Sequence, residues 1–255
     1  MAPACEFDRL FTKKVPHIHE KIFFSLDYES FKNCVEVSKS WNDLLTSDNF
    51  LRRGKSVFFE NIQKDLVLAA GMGNVDTIQR VTSSFMVDIN FMTERNGSPL
   101  IQAALNGHRD VVHLLLERGA EPNMADKNGR TPLQMAAQKD HKHVVQLLLD
   151  KGAEPNMANN YGFTPLHGAA AFEAHRDVVQ LLLDRGAAPN MVTQWGSTPL
   201  ICAAKEGHKD VVELLLDRGG QPNIADQSGT TPLSHALQNG HTDIANILTE
   251  NGGTV

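Results

Sequence analysis

The sequence predicts an all-α protein: a small helical segment, then an α-solenoid of about six stacked units joined by short hairpin turns. Three observations predict this. The string Ser/Thr-Pro-Leu begins at Ser98, Thr131, Thr164, Thr198 and Thr231, in steps of 33, 33, 34 and 33 residues. A second string, of which HKHVVQLLLDKGAEPN is one copy, follows each of the first. Ahead of both lies KIFFSLDYESFKNCVEVSKSW, Lys21 to Trp41, which matches nothing downstream.

Composition narrows the function. The chain has 255 residues, 41% of them hydrophobic, and a net charge of −6. That balance argues against nucleic acid as a partner, which usually selects a basic protein. The three cysteines, Cys5, Cys34 and Cys202, are too far apart for a disulfide framework. Reduced thiols point to the cytoplasm, with the nucleus as a second compartment. The opening MAPACEFDRL carries Glu6, Asp8 and Arg9 where a secretory signal needs an apolar core. Apolar runs such as VVQLLL are far shorter than the roughly 20 residues of a membrane span, so no membrane partner is expected.

The first element is the segment around Lys21–Trp41. Ile18, Ile22 and Leu26 sit four apart, on one helical face. Asp27 and Ser30 suit caps between this helix and the next. Phe31, Val35 and Val37 carry the apolar pattern to Trp41. Two or three short helices with a shared apolar face follow. Pro16, His17, Ile18, Glu20, Ile22, Leu26, Asp27, Ser30, Val37, Lys39 and Trp41 together resemble an F-box of the type carried by WD-repeat substrate receptors of SCF ubiquitin ligases. Val15 stands where that family commonly has leucine. The resemblance implies docking onto the Skp adaptor, which hangs from a cullin ligase. The docking face would use Pro16, Ile18, Ile22, Leu26, Phe31, Val37 and Trp41. The bland alternative is a helical cap on the repeats. This domain spans 12–56, and a short join spans 57–64. Val57, Phe58, Phe59 and Ile62 make that join too apolar for a flexible linker.

The repeats occupy 65–255, in units near 65–94, 95–127, 128–160, 161–194, 195–227 and 228–253. Thr131 is a good N-cap, and Pro132 fits the first helical position, where its missing N–H is no loss. Ala136 and Ala137 keep that helix thin. A second helix starts near Lys142 and carries Val144, Val145, Leu147, Leu148 and Leu149. Gly152 supplies a left-handed C-cap, and EPNMANNYGF reads as a turn or hairpin. One unit cannot bury its own apolar face, but stacked units can. The pattern T-P-L-x-x-A-A, G-H, V-V-x-L-L-L-x-x-G-A resembles the ankyrin repeat over roughly residues 61–253. The first unit, DLVLAAGMGNVDTIQRV, is degenerate. The last carries Thr249 where earlier units have Leu116, Leu149, Leu183 and Leu216, as suits a solubilising cap. Proline in GAEPN and GAAPN departs from the family's usual turn.

The ankyrin resemblance implies a protein partner bound through turn tips and first helices. Comparing the units picks out a basic set, Lys127, Arg130 and Lys139. It also picks out Tyr161, Phe163 and Trp195 on adjacent tips, with Phe172 nearby. Together they suggest a target with an acidic segment followed by an apolar one. The alternative is that the tip aromatics pack on each other. No catalytic, cofactor or metal site is expected. GKS at Gly54–Ser56 lacks the phosphate-loop glycine, since Asn49 holds that place. His108, His141, His175, His208 and His241 share one repeat position, which reads as hydrogen bonding between units. The whole reads as a monomeric, non-catalytic adaptor that brings an unknown protein substrate to a cullin ligase. A plain scaffold or inhibitory module is the alternative.

Overall fold

The computed structural model describes residues 63–84, 87–94, 97–172 and 175–255. The expected domain over 12–56, its docking residues, and nearly all of the join over 57–64 lie outside the described residues. Among the described residues the regular elements are twelve helices in six successive pairs: α1 (63–71) with α2 (Val75–Ser84), α3 (Pro99–Leu105) with α4 (Arg109–Glu117), α5 (Pro132–Gln138) with α6 (Lys142–Asp150), α7 (Pro165–Ala171) with α8 (Arg176–Asp184), α9 (Pro199–Glu206) with α10 (Lys209–Asp217), and α11 (Pro232–Gln238) with α12 (Thr242–Glu250). First helices pack on first helices and second on second, which makes the α-solenoid that the periodicity predicts.

The starts of α3, α5, α7, α9 and α11 follow from local chemistry. Ser98, Thr131, Thr164, Thr198 and Thr231 hold extended backbone, and each hydroxyl accepts the N–H three residues on. Proline follows at the first position, where no intrahelical donor is needed. Stacking then depends on small side chains. The pairs Ala103/Ala104, Ala136/Ala137, Ala169/Ala170 and Ala203/Ala204 are fully buried between neighbouring first helices. In the last described unit Ala236 keeps this place, but Leu237 replaces its partner and is 52% exposed. Each second helix from α4 to α10 buries a Val-Val-x-x-Leu set, such as Val144, Val145 and Leu148. Complete burial of one such leucine contributes about 2 kcal/mol.

The seam between units is polar as well as apolar. His108, His141, His175 and His241 stand just before second helices, yet none caps its own helix. Each reaches back a unit instead. Their Nε2 atoms donate to the carbonyls of Gly71 (3.0 Å), Leu105 (3.0 Å), Gln138 (3.3 Å) and Lys205 (3.1 Å). The His141 and His241 rings lie against Gly107 and Gly207, the glycines just ahead of the previous units' histidines. At Gly107, with φ of 74°, an added Cβ would stand 2.6 Å from His141 Nδ1. The third unit has Asp140 at this place. It is the described non-glycine residue with positive φ, 58°, and it faces His175, whose hydrogen bond is the longest of the four.

Asparagines clamp the turns together. Asn123 Nδ2 donates to Gly152 O at 3.0 Å, and its Oδ1 accepts the Glu154 N–H at 2.8 Å. Asn90, Asn156, Asn190 and Asn223 repeat the arrangement. The clamped N–H belongs to the residue before Pro155, Pro189 or Pro222, so proline's missing donor takes nothing from the clamp.

Glycine chemistry at the seam makes a paired prediction. Gly107→Ala should destabilise the protein by roughly 2 kcal/mol or more, because a left-handed backbone and a clash with His141 act together. Asp140→Gly should stabilise it by about 0.5 kcal/mol, since relief of the left-handed residue outweighs the half-exposed contact with His175. Urea denaturation followed by circular dichroism reads both, and a destabilising Asp140→Gly would contradict this account of the seam.

Candidate functional site

The tips between units are short hairpins, each closed by a side-chain oxygen at its base. Asn159 Oδ1 accepts the N–H groups of Tyr161 (2.9 Å) and Phe163 (3.0 Å), and the backbone pairs Asn159 N–H with Phe163 O at 2.8 Å. Thr193 does the same for Trp195 and Ser197, at 3.3 and 3.2 Å. Asp126 and Asp226 do so in the neighbouring tips. Successive tips are joined through backbone bonds. Asn160 N–H donates to Asn128 O, Gln194 N–H to Tyr161 O, and Gln227 N–H to Trp195 O, at 2.9 to 3.0 Å. Gly162 and Gly196 allow this approach: a Cβ on either would lie 2.9 Å from the next tip's backbone.

This stacking brings three of the candidate residues together. Tyr161 and Trp195 stack with ring centroids 6.0 Å apart and planes 15° apart. They are 47% and 49% exposed. Phe163 lies partly buried beneath, 5.8 Å from Trp195 and edge-on to His167. The rings therefore pack on each other and still present half their surface to solvent. Phe172 is 48% exposed, but it caps the far end of α7. Seven helical residues, about 10 Å, separate it from the tips.

The basic set is not assembled in the same way. Lys127 is exposed on its tip. Lys139 stands at the C-cap of α5, a helix length away. Arg130 folds back onto Asp126: Nε and Nη2 lie 2.7 and 2.6 Å from Oδ2. Burial pushes the Asp126 carboxyl up, but the Arg130 side chain and the N–H groups of Arg130 and Asn128 hold it below the usual range. Lys127 is thus the uncommitted cation of the three on the tip row.

Behind the tips sits His167, fully buried in α7. Its Nδ1 accepts the Thr164 N–H at 3.2 Å and its Nε2 donates to Ser197 O at 3.0 Å, so one ring closes the helix start and ties two units. In the preceding unit Gln134 fills the same place, bonding the Thr131 N–H and the carbonyls of Met157 and Phe163. Burial lowers the His167 pKa to about 4 from 6.5, against the opposing pull of the Ser197 and Met191 carbonyls. At the last tip the Asp226 carboxylate meets His235 Nε2 at 2.8 Å. Burial raises its pKa, but bonds from Ser228, His235 and Thr230 outweigh that and hold it at about 2.

The described residues hold no group of three or more His, Cys, Asp or Glu arranged for a metal ion. No described helix is long and apolar enough to cross a membrane. The hairpin-base residues and His167 escaped sequence reasoning. The signal for the hairpin bases is the recurrence of an oxygen-bearing side chain at residues 126, 159, 193 and 226.

A family model for ankyrin repeats, in three copies, matches residues 49–126, 100–193 and 166–255. Among curated proteins, cortactin-binding protein 2 of Rattus norvegicus is 44% identical over 61 residues, and that of Mus musculus 43% identical over 60. Each match covers 24% of this chain and 4% of the relative, so the chain spans a small fraction of those proteins' length.

The buried imidazole sets a pH dependence. His167 binds its proton more weakly folded than unfolded, so stability is full above pH 6.5 and falls as pH drops towards 4. The loss reaches about 3 kcal/mol at most. His167→Gln, which copies Gln134, should flatten the urea-denaturation midpoint against pH across that window. An unchanged slope would mean that His167 is not the group responsible.

Proposed function

The chain belongs to the ankyrin-repeat family, whose arrays are protein-binding modules, and from that premise we propose that it is a substrate-recognition adaptor of a cullin-type ubiquitin ligase. Residues 12–56 form an F-box that docks the Skp adaptor, 57–64 a short rigid join, and 65–255 the array that holds the target. The observation that carries this reading is the ungapped run of matched positions from His17 to Trp41. A cap alone would need no such run. The target docks across the tip row, on Tyr161 and Trp195 with Phe163 beneath and Lys127 beside them. The half-exposed ring pair supports this, because buried aromatic anchors dominate interface energies. The protein does no chemistry of its own here. It raises the effective concentration of target near the ligase, in the cytoplasm and the nucleus.

A second reading is a plain ankyrin scaffold, favoured by the likeness to cortactin-binding protein 2, which by its name binds cortactin. One experiment separates the two. The purified chain should bind purified Skp adaptor, and the Ile22→Ala, Trp41→Ala double variant should lose at least roughly tenfold in affinity while keeping its helical circular dichroism. An intact, folded chain that does not bind leaves the scaffold.

A further inference from the structure

We infer that the Tyr161–Trp195 pair receives a proline-rich, extended segment of the partner; this rests on the tip row being the docking surface. Four observations lead there. First, the tip backbone is already paired from one unit to the next, through the Tyr161, Trp195 and Asn128 carbonyls. The tips therefore have little to offer an incoming β-strand, which binds mainly through its backbone. Second, the amides of Asn160 and Gln227 are engaged by the carbonyls of Lys127 and Gln194. Third, neither stretch around the rings, 157–163 or 191–197, contains a charged residue. Arg130 is held by Asp126. An acidic peptide finds one uncommitted cation, Lys127, on an adjoining tip.

Fourth, what remains is a pair of half-exposed rings, the exposed Val192, the Trp195 indole N–H and the Tyr161 hydroxyl. Those are flat apolar surfaces with hydrogen-bond donors. The matching ligand has flat apolar rings and free carbonyls, and few N–H groups needing acceptors. Proline lacks the N–H. A polyproline II chain leaves its carbonyls unpaired and stays extended, rising about 3.1 Å per residue. Its stiffness also lowers the entropy lost on docking.

The chain's two tryptophans, Trp41 and Trp195, make the test direct. Indole and backbone N–H resonances of the full chain are followed by NMR during titration with an oligoproline peptide, a glycine–serine peptide of equal length and an oligoglutamate peptide; Trp195→Phe assigns the indole resonances. Oligoproline should move the Trp195 indole saturably. Tyr161→Ala should weaken that binding roughly tenfold or more, Tyr161→Phe should weaken it less, and Phe172→Ala should leave it unchanged. An unmoved Trp195 indole, or an equal shift with glycine–serine, overturns the inference. A shift with oligoglutamate alone overturns the proline assignment and leaves the tip row as a docking surface. Oligoproline binding that moves resonances around Phe172 and spares Trp195 overturns both.

Discussion

An ankyrin unit leaves one apolar edge open, and closing that edge against the next unit is the constraint on which the other features depend. It demands thin first helices, hence the buried alanine pairs at residues 103–104, 136–137, 169–170 and 203–204. It demands that backbones approach, hence glycine beneath the His141 ring. Polar groups brought into that seam must be satisfied, because a stranded buried donor or acceptor costs on the order of 1–3 kcal/mol. His108, His141, His175 and His241, with the repeated asparagines, meet that demand by bonding across units. Among the described residues no buried side-chain polar atom lacks a partner.

The same contact builds the tip row. Once two units are in register, their hairpins lie close enough for backbone bonds, and residues 161 and 195 come side by side. The ring pair is thus held by the repeat spacing and does not need a partner to order it. That is a form of preorganisation, which favours binding by lowering its entropic cost. It also explains how a protein with ordinary core residues can present exposed tryptophan and tyrosine without distorting its fold.

Much of this is legible in the sequence, and what is not has more than one physical cause. The Thr131 cap and Pro132 could be read because capping is local, within three residues. Stacked helices could be read because the period repeats. The Asn123 clamp could not, because its partners lie 29 and 31 residues on, in the next unit. Arg130 stands in the sequence as one of a basic set, with Asp126 four residues before it. That spacing alone does not reveal a hairpin that folds the carboxylate back onto the guanidinium. In the sequence Phe163 stands beside Tyr161 and Trp195 as a third tip aromatic, and its half-buried place beneath Trp195 depends on the next tip. Phe172 and Lys139 group with the tips in the sequence because proximity along the chain hides the length of a helix.

The extra residue of the fourth unit has a consequence of a different kind. It falls between α7 and α8, and the clamp from Asn156 still reaches Gly186 and Ala188, with separations of 30 and 32 residues where the Asn123 clamp spans 29 and 31. Gln194 N–H still meets Tyr161 O. The chain there changes length without disturbing either ladder. The α7–α8 connection is therefore a natural port: a reporter or a foreign peptide grafted at that corner would be carried on the side of the array away from the tips, with the repeat register intact.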